Sequence, residues 1–299
     1  GGGLLHTAND TAVAGFNAGG RGGRIQRIAW DGTLEWNYLI ADANRRQHHD
    51  VRMLPNGNVL AIVWEKKTAA QAIAAGRNPA TLSAGEVWSE GILEIQPSGA
   101  TGGTIVWEWH AWDHLVQNFD ATKPNFAQPA TRPDRLNVNF GVVSNRADWL
   151  HVNGLDYNED LDQIVMSTHN LNEIWIISHA PGASGDFLYR WGNPAAYGMG
   201  TAADQKFFGQ HNPQWIADGL QGAGNILVYN NGLNRPAGAY SSVEEIIPPL
   251  AADHTYTRTV GQAFGPLSPA WLCDAASGVR FYSSNISGAQ RLPLSLIHI

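Results

Sequence analysis

The chain has few charged residues, a single cysteine and no long apolar run. Charged residues make up 15% of its 299 residues, and the formal net charge is -7. Because phosphate backbones attract clustered lysine and arginine, this composition argues against a nucleic-acid partner. Cys273 stands alone, which excludes an intrachain disulfide and a paired-cysteine metal site. No apolar stretch approaches the roughly 20 residues of a membrane-spanning helix.

Glycine and tryptophan are abundant instead, with 33 and 12 residues respectively. This composition is typical of short strands that are joined by tight turns and covered by aromatic side chains. The clearest helix candidate runs from Thr68 to Ala75, with Thr68 as the N-cap, Gly76 just past the end and Pro79 beyond it. We interpret this helix as an insertion on an all-β scaffold.

One unit recurs along the chain: an apolar strand, a turn rich in Asn, Asp and Gly, and a second apolar strand. Each copy opens with a histidine, and the copies span His49–Trp64, His151–His169 and His211–Asn231. A second kind of hairpin, with an Ile-rich strand and an aromatic-ended strand, spans Gly22–Tyr38, Gly91–Trp109 and Asn172–Trp191. Two hairpins make one four-stranded antiparallel blade of a β-propeller. We therefore predict an all-β propeller in which three tryptophans pack between blades: Trp36, Trp109 and Trp191.

The repeat also predicts the domain limits. We expect one β-propeller domain over residues 1–293, incomplete at both ends. A fourth copy begins at Ser287 and breaks off after Pro293. The last six residues, Leu294 to Ile299, leave the pattern where a turn is expected and look like a translated sequencing-adapter tail, so we predict that they are not native.

The opening histidines hold equivalent positions on three first strands. Each precedes its turn by six residues, and they are His49, His151 and His211. Equivalent positions on the blades of one propeller converge on its axis. Counting through two-residue hairpin turns predicts the residues directly opposite them, in the same order, as Trp64, His169 and Asn231. Strand alternation places Asn153 on the same face as His151, so we predict one site formed by all these side chains.

The other histidines have a simpler interpretation. A single histidine on a strand is usually a half-buried polar residue, and we prefer this interpretation for His6, His48, His179 and His254. We expect His110 and His114 to be structural. Polar side chains in register also line wet propeller channels, so a non-catalytic binding module stays open as a hypothesis.

Four stretches resemble the bacterial arylsulfotransferases: Ala147–Ile177, Phe208–Ile216, His48–Glu65 and Ile286–Pro293. The most specific pieces are DWxHxN, which begins at Asp148, and QHN, which begins at Gln210. The resemblance implies a six-bladed propeller, truncated in this chain, with a periplasmic or secreted location. It also implies transfer of a sulfuryl group from a phenolic sulfate to a phenol, with no nucleotide sulfate, cofactor or metal.

The resemblance implies roles for individual residues. His211 is the nucleophile that becomes a sulfohistidine, and His49, His151 and Asn153 surround the transferred group. His169 stands where the family usually has an arginine, and an imidazole offers full charge to sulfate oxygens only when it is protonated.

The chemistry of sulfuryl transfer fits these residue types. Neutral imidazole is a suitable nucleophile and divides one exchange into two easier steps. His151 or His49 would exchange a proton with the phenol, while Asn153 and His169 hold the sulfuryl oxygens. We expect two further residues to contact the substrate: Trp64 and Asn231.

A rival hypothesis uses the same histidines. Imidazoles that converge on a propeller axis also build all-histidine iron centres, which would make the protein an oxygenase. Such a centre needs carboxylates that orient the imidazoles, and the nearby candidates in the sequence are Asp50 and Asp156.

Overall fold

The computed structural model describes residues 2–274, 281–293 and 297–299. The chain divides into two compact units. Unit 1 comprises Gly1–Phe126 and Gly141–Asn153, and unit 2 comprises Ala127–Phe140 and Gly154–Ile299. Within the described ranges, no helix has the length and apolar character needed to span a bilayer.

Unit 1 begins with two antiparallel sheets. The first has the strand order β1-β2-β3 and the second β4-β5-β6-β7, and a short strand β8 follows. The strands are β1 Gly3–Asn9, β2 Gly23–Ala29, β3 Leu34–Leu39, β4 Arg45–Met53, β5 Val59–Thr68, β6 Glu86–Ser98, β7 Gly102–His110 and β8 Leu115–Val116. The helices of this unit are α1 Ala69–Ala74 and single 3-10 turns at Pro79–Thr81 and Ala111–Asp113.

In unit 2, the described residues form two four-stranded sheets and one two-stranded sheet, in which strands adjacent in sequence are also adjacent in space. The strands are β9 Leu136–Asn137, β10 Val152–Asn158, β11 Gln163–Thr168, β12 Glu173–Ser178, β13 Tyr189–Trp191, β14 His211–Trp215, β15 Ile226–Asn230, β16 Ser242–Ile246, β17 Trp271–Cys273, β18 Gln290–Arg291 and β19 Ile297–His298. The sheets are β10-β11-β12-β13, β14-β15-β16-β17 and β18-β19. The 3-10 turns are Pro129–Thr131, Pro194–Tyr197 and Ala202–Asp204.

The predicted fold class is confirmed: the described residues form antiparallel sheets with almost no α-helix, and three of these sheets are four-stranded propeller blades. Each predicted hairpin is present, and two successive hairpins form one blade. Part of the tail predicted to be non-native, residues 294–296, lies outside the described residues. The prediction of one domain over residues 1–293 stays a prediction.

Two of the predicted tryptophans pack between sheets. Trp36 is buried against Val59 and Ala61 of the neighbouring sheet, and its Nε1 donates to the carbonyl of Gly102 at 2.8 Å. Trp191 lies in the core that joins the two four-stranded sheets of unit 2. Trp109 is buried as well, but the ring contact that the structure records for it is a stack on His114.

The predicted helix is confirmed with its caps. Thr68 is the N-cap, and its hydroxyl accepts from the backbone N–H of Gln71 at 3.2 Å. Gln71 returns the bond by accepting from the N–H of Thr68, which completes a capping box. Gly76 follows the helix with a φ of +84°, a left-handed conformation that glycine adopts without strain.

The predicted cross-strand register is wrong at His49 and His211, and the predicted pairing of His151 with His169 stays a prediction. Trp64 pairs with Arg46 rather than His49, because a bulge between Gln47 and Val51 adds residues to β4. In unit 2, His211 pairs with Tyr229 rather than Asn231, and another bulge follows His211. The hairpin counts assumed tight turns and unbroken ladders, and neither condition holds on these strands.

Candidate functional site

Each unit holds its own group of the predicted site residues. Unit 1 contains His49, Trp64, His151 and Asn153, and unit 2 contains His169, His211 and Asn231. The structure brings His49 and His151 together in unit 1. It brings His169 and His211 together in unit 2. Among the described residues, no group of three or more His, Cys, Asp or Glu side chains is arranged to hold a metal ion.

The backbone at His49 is strained and tightly held. His49 sits in the bulge of β4 with a φ of +51°, a region that side-chain-bearing residues rarely occupy. Its N–H donates to the carbonyl of Gly20 at 2.7 Å. Gly20 has a φ of +74°, and a Cβ atom there would lie 2.1 Å from the imidazole of His49. The loop before β2 and the bulge of β4 therefore fix the position of this imidazole together.

His49 and His151 form the histidine pair of unit 1. Their rings meet edge to face, with centroids 4.6 Å apart. His151 Nδ1–H donates to Asp148 at 2.5 Å, and a carboxylate partner of this kind sets the imidazole tautomer and orientation. His151 and Asp148 also line a cavity of about 290 Å³, together with Asn17, Trp88 and other residues of unit 1. Asn153 is buried on β10, two residues further along.

His48 and Glu90 form a second pair, which is completely buried, and His48 contacts His49. One imidazole nitrogen of His48, Nε2, lies 2.8 Å from a carboxyl oxygen of Glu90, and its Nδ1 lies 2.8 Å from Nδ1 of His49. Burial lowers the pKa of His48 well below 6.5, and the neighbouring histidines lower it further. Burial also raises the pKa of Glu90 well above 4.5, and the charge of Asp148 adds to this increase.

Sequence reasoning missed these supporting groups. His48 was expected to be an ordinary half-buried histidine, yet its side chain is completely buried in this cluster. Glu90 and Asp148 are carboxylates that contact imidazoles in this cluster. The two carboxylates named from the sequence, Asp50 and Asp156, accept from the backbone N–H groups of Val51 and Trp215. A signal for Asp148 existed, because it lies three residues before His151 in the DWxHxN motif. No local signal marked Glu90.

Trp64 packs against the histidines of this cluster. Its side chain is completely buried, and its ring stacks on His48 with centroids 3.8 Å apart and planes 4° from parallel. Phe16 stacks against it as well, at 5.9 Å. The Trp64 ring also lies 6.3 Å from that of His49 and 6.2 Å from that of His151, so this buried side chain contacts all three imidazoles.

His211 is a buried imidazole of unit 2 whose two ring nitrogens both form hydrogen bonds. It opens β14 and is 8% exposed. Its Nδ1–H donates to the side-chain oxygen of Asn231 at 2.7 Å and to the carbonyl of Gly209 at 3.0 Å. Its Nε2 accepts from the backbone N–H of Ile286 at 3.3 Å. These partners assign a neutral ring with the proton on Nδ1 and the lone pair on Nε2.

Asn231 is fully occupied by positioning contacts. Besides accepting from His211, its amide donates to the carbonyls of Ser283 and Ile286, at 2.9 and 2.8 Å. One buried side chain thus connects the imidazole to the segment 283–286, which also supplies the donor to Nε2.

The neighbours of His211 in the QHN motif fix its register. The amide of Gln210 donates to Ser167 and to the carbonyls of Thr168 and Glu173, all at the end of the adjacent blade's hairpin. Asn212 has a φ of +53° and accepts from the N–H of Ala289. The motif is therefore a structural unit that holds the imidazole between two anchored residues.

His169 lies beside His211. It follows β11, and the centroids of the two rings are 5.6 Å apart. Its Nδ1 contacts the side-chain oxygen of Asn170 at 3.0 Å. A Cβ atom on Gly209 would lie 3.0 Å from Nε2 of His169, so the turn before His211 also packs against this imidazole.

The family model described as Arylsulfotransferase (ASST) matches residues 4–295. No curated protein sequence matches the chain significantly.

Three solved structures share low similarity with the chain. A luciferin-regenerating enzyme is 11% identical, with a TM-score of 0.35 over 85% of this chain and 61% of that one. A glucose dehydrogenase is 10% identical, with a TM-score of 0.34 over 98% and 95% of the two chains. A proposed 6-phosphogluconolactonase from Bacteroides uniformis is 12% identical, with a TM-score of 0.25 over 98% and 93%. The chain spans about three fifths of the luciferin-regenerating enzyme, and none of these likenesses carries an inference about function.

Proposed function

Because the chain belongs to the arylsulfotransferase (ASST) family, we propose that it moves a sulfuryl group from a phenolic sulfate ester to a phenol. The transfer uses no nucleotide sulfate and runs through a covalent intermediate on His211. The observation that supports this choice is the pair of contacts at Nδ1 of His211, which direct the lone pair to Nε2. A neutral imidazole with its proton held on the far nitrogen is a competent nucleophile.

In the first half-reaction, Nε2 of His211 attacks sulfur, an N–S bond forms and the S–O bond to the phenol breaks. The leaving phenolate takes a proton from a nearby acid. Sulfation at Nε2 makes the ring cationic, because Nδ1 keeps its proton. Asn231 and the carbonyl of Gly209 both accept from that N–H, so they stabilise the charge as it develops.

In the second half-reaction, the acceptor phenol attacks the sulfuryl group. A new S–O bond forms, the N–S bond breaks and the phenol loses its proton to a base. His211 returns to its neutral state with the lone pair on Nε2. His211 takes up one sulfuryl group in the first half-reaction and releases it in the second, which is the pattern of ping-pong kinetics.

The N–H of Ile286 has two successive roles in this proposal. It donates to the same Nε2 that must attack, so this hydrogen bond breaks before the N–S bond forms. The released N–H then lies near the new sulfuryl group and donates to one of its oxygens, as oxyanion donors do in acyl transfer.

The same proposal assigns the remaining predicted residues. His49 and His151 exchange the proton with the phenol oxygens, and His151 is suited to this because Asp148 orients it. Asn153 and His169 donate to sulfuryl oxygens. These assignments rest on the family resemblance, as does an exported, periplasmic or secreted location.

The experiment that tests this function measures turnover of 4-nitrophenyl sulfate with phenol as acceptor and no added nucleotide or metal. We expect release of 4-nitrophenolate together with formation of phenyl sulfate, and parallel lines in double-reciprocal plots. Intersecting lines would replace the covalent mechanism with direct transfer. Release of 4-nitrophenolate without phenyl sulfate would indicate hydrolysis instead of transfer, and absence of both products would favour the binding-module hypothesis.

A further inference from the structure

A continuous line of five titratable side chains runs through unit 1. It begins at Glu90, continues through His48, His49 and His151, and ends at Asp148. The first two links are 2.8 Å hydrogen bonds, and His48 and Glu90 are both completely buried. This end of the line is shielded from water by the protein and ends at a carboxyl group that the mechanism above does not use.

The protons on this line are constrained by the neutrality of His48. A neutral imidazole carries one N–H, yet both nitrogens of His48 lie at hydrogen-bond distance from a partner. The two bonds must therefore run in the same direction along the line. Which direction they run depends on whether Glu90 is ionised.

With Glu90 ionised, His48 Nε2–H donates to the carboxylate. Nδ1 of His48 then accepts from Nδ1–H of His49, and the lone pair of His49 lies on Nε2, the nitrogen that does not face His48. In this state His49 is a base. The pair of imidazoles holds two protons, and the carboxylate holds none.

With Glu90 protonated, both hydrogen bonds reverse. The carboxylic acid donates to Nε2 of His48, and Nδ1–H of His48 donates to Nδ1 of His49. His49 then carries its proton on Nε2 and is an acid. The line holds one more proton than before, and no imidazole bears a charge in either state.

We propose that Glu90, acting through His48, sets which nitrogen of His49 carries the proton, so that the buried carboxyl stores the proton that His49 exchanges with phenols. In turnover this inference rests on the proposed function. When the leaving phenolate takes Nε2–H of His49, Nδ1–H of His48 moves to His49 and the carboxyl proton of Glu90 moves to His48. When the acceptor phenol is deprotonated, the same three protons move back, and the balance is one proton out and one proton in.

The surroundings of Glu90 suit a proton store. The groups that face it are His48, the carboxylates of Asp148 and Glu65, and the backbone N–H groups of His151 and Val152. Burial and the two carboxylates favour the protonated acid, while the two N–H groups favour the carboxylate. The stacked ring of Trp64 keeps His48 in the plane that both hydrogen bonds need.

The Glu90→Gln variant gives a defined comparison. The N–H of Val152 donates to one oxygen of Glu90 at 3.1 Å, so the glutamine places its oxygen there and its NH2 group towards His48. That arrangement copies protonated Glu90 but has no proton to release. Glu94→Gln is the matched control, because Glu94 is a buried glutamate on the same strand whose partners are Asn56 and Asn58.

The first test is 15N NMR of histidine-labelled protein across the pH range in which it stays folded. For the wild type and Glu94→Gln we expect His49 to change from the Nε2–H to the Nδ1–H tautomer as pH rises. For Glu90→Gln we expect Nε2–H throughout. A wild-type His49 that keeps one tautomer at every pH overturns the inference, and this measurement needs neither a variant nor a substrate.

The second test compares leaving groups. 4-Nitrophenolate departs without a proton, whereas phenolate needs one, so Glu90→Gln should lose about 10- to 100-fold more activity with phenyl sulfate than with 4-nitrophenyl sulfate. A purely structural role for Glu90 predicts equal losses, and that result would overturn the inference. A tautomer switch without any sulfate transfer by the wild type would instead overturn the proposed function and leave the Glu90–His48–His49 coupling intact.

Discussion

The backbone N–H of Ile286 donates to Nε2 of His211, the nitrogen with the lone pair, while Asn231 holds the opposite nitrogen of the same ring. Asn231 also donates to the carbonyl of Ile286. One asparagine therefore sets the imidazole tautomer and the position of the group that covers it. Under the proposed function, Asn231 and the carbonyl of Gly209 orient the imidazole of His211. A small shift of the segment 283–286 then breaks the hydrogen bond from Ile286 to Nε2.

His211→Ala should abolish transfer from 4-nitrophenyl sulfate to phenol, because the N–S bond has no other acceptor in the proposal. His169→Arg should preserve or raise the rate, since a guanidinium always offers its charge to sulfate oxygens. His254→Ala is the control, because His254 is an exposed histidine of the same unit. Normal turnover by His211→Ala would refute the assignment of the nucleophile.

Asn231→Ala should lower turnover by about 100-fold, because Nδ1 loses an oriented partner and the imidazole is no longer held in position. The decrease should appear mainly in kcat, since Asn231 contacts the imidazole and the segment 283–286. Steady-state kinetics with varied aryl sulfate separate the two constants. A change confined to KM would assign Asn231 to substrate binding, as the sequence alone predicts.

Features of this site that depend on residues close together in the sequence could be predicted, and contacts between residues far apart in the sequence could not. The hairpins and blades were predictable because Asn and Gly mark their turns and apolar residues mark their strands. The register was not, because His49 lies in a bulge that no local pattern announces. Glu90 follows His48 by 42 residues, and their contact depends on how β4 and β6 align on the two sides of β5 in the folded sheet.

Gly20→Ala should displace the imidazole of His49. The added Cβ would lie within 2.3 Å of three ring atoms, and the φ of +74° adds strain of about 1–2 kcal/mol. We expect about a 100-fold loss of transfer if His49 exchanges the proton. Gly19→Ala is the matched control, because a Cβ atom there meets no heavy atom within 4 Å. Equal activity of the two variants would remove His49 from the reaction.

The Glu65–His110 pair predicts a pH-dependent term in stability. The hydrogen bond from His110 to Glu65 raises the pKa of His110 above 6.5. Burial alone would raise the pKa of Glu65, but His110, Lys67 and Arg45 lower it to about 2, so Glu65 stays ionised at neutral pH. A raised histidine pKa stabilises the fold fully below the unfolded value and loses this effect as pH rises through the folded value.

His110→Asn should therefore lower the free energy of unfolding by about 1 kcal/mol below pH 6.5, and by less as the pH increases. Urea unfolding at several pH values measures this difference. His6→Asn serves as the control, because His6 is an exposed strand residue. A difference between wild type and His110→Asn that grows with pH would contradict the sign of the pKa shift.

The most direct test of the sulfohistidine is mass analysis of the protein after brief mixing with 4-nitrophenyl sulfate and no acceptor. We predict a mass increase of one SO3 group, located by peptide fragmentation on His211 and removed when phenol is added. A sulfate group on another residue, or full transfer to phenol with no modified protein at any time, would contradict the proposed mechanism.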